Sequence, residues 1–210
     1  MRKMALVFVI LVLMAGCATT SKQQCLLTDP VEHVVPKTIR ELCYANGIDL
    51  NDVSYCIIES SGLEMRIGAN KTIVTSTGFI SQVNDIFLKY ALAHEIAHYK
   101  LNHVPKGIGV SVATSMVFTV AGVFIPGVGW LDYAVNPLVT TAFSRSFELD
   151  ADAEAVRICQ NAGFDDAPRK YIQALQWLKI KVGNGERDLC ASHPPFDDRI
   201  AHIRETFGLN

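Results

Sequence analysis

The stretch His94-Glu95-Ile96-Ala97-His98 (HEIAH) lies in a segment with helical periodicity that runs from about Asn84 to Asn102. Two histidines four residues apart lie one turn apart on the same face of a helix, so both imidazoles can bind one Zn²⁺ ion. Glu95, beside the first histidine, is then placed to polarise a zinc-bound water. The same face carries apolar residues, so we expect the histidines to point inward; a pair of packed core histidines is the alternative.

A zinc site of this kind needs a third protein ligand. The metzincin spacing would place a third histidine at position 104 and a glycine at position 101, but the chain has Val104 and Leu101 there. A carboxylate is therefore needed. The segment Phe143–Cys159 (FSRSFELDADAEAVRIC) is a predicted helix that can supply one.

Glu148 and Asp152 are four residues apart and share one face of that predicted helix. We predict that Glu148 is the third ligand. Asp152 is placed to accept the outer N–H of a zinc-bound histidine and so fix its tautomer. The alternative is an ordinary solvated face, since helices rich in Glu, Asp and Ala are common.

Outside these segments the sequence predicts one helix and a small sheet. Pro36–Asn46 has helical periodicity, with Gly47 placed to end it. Three β-rich runs are separated by turn residues, and we predict that they form an antiparallel sheet: Val53–Glu59, Leu63–Ile67 and Thr72–Thr77. The fold class is therefore α+β and mostly helical.

Four segments stand in order along the chain: TIVTSTGFI at 72–80, HEIAH at 94–98, ELDAD at 148–152, and SHPP at 192–195 with Arg199 and Ile200 behind it. Together they resemble metallopeptidase family forty-eight, a gluzincin family of the HtpX-like and CAAX prenyl protease type. The resemblance covers roughly residues 36–210 and implies a zincin-like metallopeptidase domain. It also extends to the family's bacterial periplasmic lipoprotein members.

The resemblance implies one Zn²⁺ ion per chain, bound by His94, His98 and Glu148. It further implies that Glu95 is the catalytic base and that Asp152 supports one of the ligands.

Two further residues near the C-terminus each have two possible roles. The resemblance implies that His193 stabilises the oxyanion or gates access to the zinc; a loop histidine fixed by the following prolines is the alternative. Arg199 is either a partner of Asp152 or a salt bridge at the start of a helix.

These residues predict a zinc-dependent endopeptidase. We expect protein or peptide substrates, such as unfolded or misassembled envelope proteins, to add as an extra strand along the Thr72–Thr77 edge. One alternative is a non-catalytic lipoprotein that holds clients and assists outer-membrane protein assembly. Another is a latent enzyme in which the segment 107–131 or the His193 loop blocks the zinc.

The N-terminal residues predict export and lipidation. Arg2 and Lys3 precede an uncharged apolar run, Met4–Ala15, that is short for a membrane span but typical of a secretory signal. The residues Leu13-Met14-Ala15-Gly16-Cys17, at the end of this run, resemble a bacterial lipobox. An ordinary signal peptide cleaved nearby is the alternative. We expect a lipoprotein signal peptide at 1–16, a lipidated tether at 17–35 and the metallopeptidase domain at 36–210.

The lipobox resemblance also predicts where the protein resides. Ala18, rather than an aspartate, follows the cysteine, which implies the periplasmic face of the outer membrane, reached through the lipid anchor. The chain has 19 Lys and Arg against 21 Asp and Glu, and no basic patch suggests nucleic acid as a partner. The sequence leaves the oligomeric state open.

Five further cysteines predict disulfides in an oxidising compartment: Cys25, Cys43, Cys56, Cys159 and Cys190. Two disulfides and one free thiol are the expected arrangement. Locality favours pairing Cys43 with Cys56 and Cys159 with Cys190, although the sequence leaves the connectivity open.

The segment Gly107–Leu131 contains no charged residue. A single membrane crossing there would separate the histidines from the downstream ligand, and two crossings need about 40 apolar residues. We therefore expect buried or membrane-resting helical segments instead of a span.

Overall fold

The computed structural model describes Cys25 and residues 34–125, 131–182 and 194–209. Helices predominate in these ranges, and three short strands form one sheet, which confirms the α+β, mostly helical class. In chain order the elements are α1 (Val34–Ala45), β1 (Ser54–Ile58), β2 (Met65–Ile67), β3 (Thr72–Ser76), α2 (Thr77–Gln82), α3 (Asp85–Lys100), α4 (His103–Phe124), α5 (Asp132–Asn161), α6 (Ala167–Val182) and α7 (Phe196–Thr206).

The sheet is mixed, so the prediction of an antiparallel sheet was wrong. β3 lies at its centre, parallel to β1 and antiparallel to β2. After β1 the chain skips the central position and forms β2 at the far edge, and a tight turn at 68–71 returns it as β3 into the gap. Short runs separated by turn residues predict strands, but they do not encode the order of the strands in the sheet.

α3, the helix that carries HEIAH, lies at the centre of the domain. It contacts α1, α5, α6 and β2. Asn84 caps its first turn, because the Asn84 side chain accepts a hydrogen bond from the Phe87 amide at 2.8 Å. Its core positions are fully buried: Leu88, Leu92, Ala93, Ile96 and Ala97.

The histidine face of α3 differs from its core face. His94 and His98 are half-buried, and so are Phe87 and Ala91 on the same side. The His94 and His98 side chains are only 12 % and 13 % exposed, and Phe87 and Ala91 pack against the core. The expectation that the histidines point inward among apolar neighbours is therefore confirmed. This face of the central helix borders a cavity, which leaves room for a ligand beside the imidazoles.

α5 packs along α3 and supplies the acidic residues of ELDAD. It begins at Asp132, well before the predicted start at Phe143. Ala151 and Ala155 are both fully buried. Their small side chains allow the two helices to approach closely, which brings the residues on the same face of α5 next to α3.

The uncharged segment forms most of α4, and α4 packs against α5. Four of its apolar side chains are exposed: Ile108, Val112, Met116 and Val117. Burial was one of the two expectations for this segment, and these four side chains contradict it. Among the described residues, no helix is long and apolar enough to cross a membrane.

The disulfide differs from both expected pairs. Cys25 is bonded to Cys56 with a Cα–Cα distance of 5.3 Å, which attaches the segment expected to act as a tether to β1. Cys43 and Cys159 are free thiols with 0 % exposure, so neither Cys43–Cys56 nor Cys159–Cys190 forms. Both side chains pack in the apolar core as small hydrophobic residues, and burial raises the pKa of the Cys43 thiol to about 11.

Candidate metal centre

Three side chains from two helices converge on one point. His94 and His98 project from successive turns of α3, and their Nε2 atoms are 3.0 Å apart. Glu148 of α5 faces both, with Oε2 3.2 Å from His94 Nε2 and Oε1 3.1 Å from His98 Nε2. The structure therefore brings together the three residues predicted to bind zinc.

The spacing of these donor atoms fits a zinc ion. Bonds of about 2.0–2.2 Å at tetrahedral angles separate the ligand atoms by about 3.3–3.6 Å. The separations here, 3.0–3.2 Å, are close to one face of such a tetrahedron. Two imidazoles and one carboxylate are a donor set of catalytic zinc sites, in which the fourth position is open to water or substrate. Within the described ranges this is the one cluster able to bind a metal with three such side chains.

The charge at the site also favours a cation. Burial alone would lower the pKa of His94, but the carboxylates of Glu148 and Asp152 outweigh burial and raise the pKa to about 10. The position therefore favours a positive charge, which either a proton on the imidazole or a divalent ion can supply.

Asp152 orients His94 from the side opposite Glu148. Its Oδ1 lies 3.0 Å from His94 Nδ1, so the Nδ1–H can donate to it and leave Nε2 free to face the metal. Arg199 of α7 donates from Nε to Asp152 Oδ2 at 2.7 Å and from Nη2 to Oδ1 at 2.6 Å. Of the two alternatives for Arg199, the structure contains the pair with Asp152.

This pair keeps Asp152 ionised despite its complete burial. Burial would raise the pKa of the carboxyl group, but the Arg199 guanidinium and the hydrogen bonds from Arg199 and His94 hold it well below its usual range. A permanently charged Asp152 is a stronger acceptor for the histidine proton than a neutral one.

Tyr171 belongs to this cluster and was not predicted. Its hydroxyl donates to Asp152 Oδ1 at 2.6 Å and lies 3.1 Å from His94 Nδ1. Burial raises the pKa of Tyr171, and the Asp152 carboxylate raises it further, so the hydroxyl keeps its proton. No motif marks this residue; the helical periodicity of α6 identifies it only as a core position.

His103 contacts the other metal-facing histidine. Its Nδ1 is 3.1 Å from Nδ1 of His98, and its ring stacks on Phe147 with a centroid distance of 4.4 Å. Burial lowers the pKa of His103 to about 4, and the neighbouring His98 lowers it as well. His103 is therefore neutral at pH 7.

A cavity of about 150 Å³ opens beside two of the three candidate ligands, His94 and Glu148. Glu95, His94 and Glu148 contribute to one wall, and Glu95 itself is 8 % exposed. The other walls are largely apolar: Leu63, Met65, Phe79, Val83, Phe87, Trp177, Leu178 and Phe196 are among the lining residues. The predicted base and two of the three predicted ligands, His94 and Glu148, thus face one apolar pocket, whereas His98 lines a second pocket beside His103.

Two predicted site residues lie outside the described ranges, His193 and Cys17. The residue that follows His193 is described: Pro194 is buried and lines the same pocket. The role expected for His193 stays a prediction.

Known proteins resemble the chain over most of its length. The family model described as Peptidase family M48 matches residues 65–207. Metalloprotease LoiP of Escherichia coli (strain K12) is 25 % identical over 205 residues, which cover 91 % of this chain and 80 % of that protein. Protease HtpX of Legionella pneumophila (strain Philadelphia 1) is 27 % identical, over 85 % of this chain and 78 % of that protein.

Metalloprotease YcaL of Escherichia coli (strain K12) is 22 % identical over 76 % of this chain and 64 % of its own length. The family match includes both histidines of α3, Glu148, Asp152 and Arg199, which are the residues that carry the geometry described above. The resemblance predicted from the sequence is thus confirmed, and the chain belongs to Peptidase family M48.

Proposed function

We propose that the protein is a zinc-dependent endopeptidase that hydrolyses peptide bonds of unfolded or misassembled envelope proteins. The observation that carries this proposal is the convergence of His94, His98 and Glu148 on one point, with His94, Glu148 and Glu95 in the wall of an apolar pocket. Membership of Peptidase family M48, and similarity to proteins named as metalloproteases, support it.

Each side chain of the site has a separate task in this proposal. When bound, zinc polarises a water molecule and the scissile carbonyl. His94, His98 and Glu148 hold the ion. Glu95 accepts a proton from the attacking water and passes it to the departing amine nitrogen. His193 is proposed to stabilise the oxyanion or to gate access.

The strand order changes where a substrate would bind. Thr72–Thr77 cannot offer a free edge, because β3 is hydrogen-bonded on both sides. The free edge of the sheet next to the pocket is β2; Met65 of this strand and Leu63, two residues before it, line the pocket. We therefore place the substrate along β2.

Hydrogen bonding in β2 identifies the groups that would receive the substrate. Ser76 N donates to Glu64 O, and Gly68 N donates to Thr72 O. Alternate residues of an antiparallel strand point their backbone groups to the same side, so the backbone groups of Met65 and Ile67 face away from β3. An extended peptide can pair with them through its own backbone, which gives affinity with little dependence on sequence.

The pocket adds a preference for apolar side chains. Phe87 and Trp177 contact each other in its wall, with ring centroids 5.9 Å apart. Apolar side chains are buried in folded proteins and exposed in unfolded ones. A pocket of this composition beside a backbone-binding edge therefore supports unfolded protein as the substrate class.

Glu95→Gln tests the chemistry without removing a metal ligand. We expect this variant to keep zinc at about one ion per chain and to lose hydrolysis of casein, whereas Glu205→Gln, an exposed position on α7, should be unaffected. Cleavage of casein by Glu95→Gln at the wild-type rate would show that the mechanism is wrong. Wild-type protein that binds casein without cutting it would favour the non-catalytic, client-holding alternative.

We also propose that the protein is anchored at the periplasmic face of the outer membrane by a lipid on Cys17. The lipobox-like segment supports this, and the Cys25–Cys56 disulfide is consistent with an oxidising compartment. Incorporation of labelled palmitate is expected in the wild type and not in Cys17→Ala, which should appear in the soluble fraction. Equal labelling of both proteins would exclude Cys17 as the attachment site.

A further inference from the structure

His103 is a buried histidine to which the proposed reaction gives no task. It is 5 % exposed, and its ring is nearly parallel to that of Phe147, with 10° between the planes. It does not belong to the cluster of metal-binding side chains found in the described ranges. Its contact with His98 is therefore the route by which it can influence the metal.

The proton on this contact can be assigned from the orientation of His98. Nε2 of His98 faces Glu148 and His94, so Nε2 is the atom that would bind the metal. A neutral imidazole that binds through Nε2 carries its proton on Nδ1. His98 Nδ1 is then the donor, and His103 Nδ1, 3.1 Å away, must be the acceptor.

We propose that His103 is a positioning residue that accepts the Nδ1 proton of His98 and fixes the tautomer and orientation of that metal ligand. His103 thus does for His98 what Asp152 does for His94. The inference rests on the proposed function, since it requires a metal at His98 Nε2.

The break between α3 and α4 makes this contact possible. In an uninterrupted helix, residues five apart are separated by about 140° around the axis and do not face each other. α3 ends at Lys100, Asn102 adopts a left-handed conformation with φ 56°, and α4 begins at His103. Asparagine tolerates this conformation better than most residues. The turn redirects the chain and brings His103 back against His98.

Two substitutions separate hydrogen bonding from packing. His103→Phe keeps an aromatic ring that can stack on Phe147 but has no acceptor, whereas His103→Gln supplies a side-chain carbonyl. We expect His103→Phe to weaken zinc binding by about 10–100-fold in competition with a chelator. We also expect it to shift the visible absorption of the Co²⁺-substituted protein, which reports the geometry of the ligands. His103→Gln should recover at least part of both, and the matched control His202→Gln on α7 should resemble wild type.

Thermal unfolding of the metal-free variants shows whether they fold. If the phenylalanine variant does not fold, His103→Leu compared with His103→Gln makes the same comparison. Wild-type zinc affinity and an unchanged Co²⁺ spectrum in a folded variant that lacks the acceptor would overturn the inference while leaving the proposed function intact. Wild-type protein that binds no zinc would overturn both.

Discussion

Replacing Arg199 by methionine tests the buried ion pair that connects α7 to the metal centre. Asp152 is 0 % exposed and Arg199 is 8 % exposed. Removing one member of such a pair leaves an uncompensated buried charge, which costs about 3–5 kcal/mol. Methionine fills most of the space of the arginine stem, so the loss of stability reflects mainly the removal of the guanidinium charge.

Urea unfolding of chelator-treated protein at pH 7 measures the loss of unfolding free energy in Arg199→Met without a contribution from metal binding. For a domain of this size it corresponds to a melting temperature lower by roughly 6–20 °C. The double variant Asp152→Asn/Arg199→Met removes both charges and should be more stable than Arg199→Met alone. Arg157→Met is the matched control, because Arg157 forms an exposed pair with Glu154 and should cost less than about 1 kcal/mol.

The stability deficit of Arg199→Met relative to wild type should depend on pH. The pKa of Asp152 is lowered in the folded protein, so its stabilising contribution is complete above the unfolded pKa of about 3.9 and is lost as the pH falls through the folded value. Without Arg199, burial raises that pKa, and the deficit of Arg199→Met should shrink as the pH falls and Asp152 takes up a proton. A deficit below about 1 kcal/mol at pH 7, or one that grows towards pH 5, would refute this reasoning.

Three further substitutions test other parts of the structure. Tyr171→Phe removes a buried hydrogen bond of 2.6 Å to a carboxylate and should cost about 1.5–3 kcal/mol, measured by urea unfolding of the metal-free protein. Trp177→Ala removes an aromatic wall of the pocket and should lower kcat/KM more for peptides with large apolar side chains than for matched alanine peptides; an equal effect on both would argue against a specificity pocket. Gly78→Ala places a Cβ 2.4 Å from the backbone of Ser61 and should cost about 1–3 kcal/mol, whereas Gly107→Ala, with open space around it, should show no such overpacking in thermal unfolding.

The residues of the candidate metal site could be predicted because their chemistry restricts both residue type and spacing. His94 and His98 lie within one helical segment, so their relative position follows from helix geometry alone. Glu148 and Asp152 also share one helix face, and the split between one residue facing the metal and one facing a histidine follows from their spacing. The sequence therefore predicts each half of the site, and the packing of α3 on α5 joins the halves.

Features that depend on long-range packing could not be predicted in the same way. Tyr171 contacts His94 across a separation of 77 residues, and its spacing resembles that of any core residue in an amphipathic helix. The disulfide joins Cys25 to Cys56 because those two meet at the sheet edge, whereas Cys43, nearer in sequence, is buried in the core. Proximity along the chain does not decide which thiols meet.

The face of α3 that carries the histidines both packs against the core and borders the pocket. Periodicity identifies residues that share a face, but it does not say whether that face meets another helix or a cavity. Phe87 and Ala91 on this face pack against the core, so they help to hold α3 in place. The same two residues also line the pocket, so one apolar pattern can indicate a substrate site as well as a packing surface.

The metal centre also joins parts of the chain that are distant in sequence. His94 comes from α3, Asp152 from α5, Tyr171 from α6 and Arg199 from α7, and one carboxylate contacts the other three side chains. A metal bound at Nε2 of His94 favours a proton on Nδ1, which strengthens the hydrogen bond to Asp152. Ion binding and the docking of the C-terminal helices should therefore stabilise each other, because both depend on the same buried carboxylate.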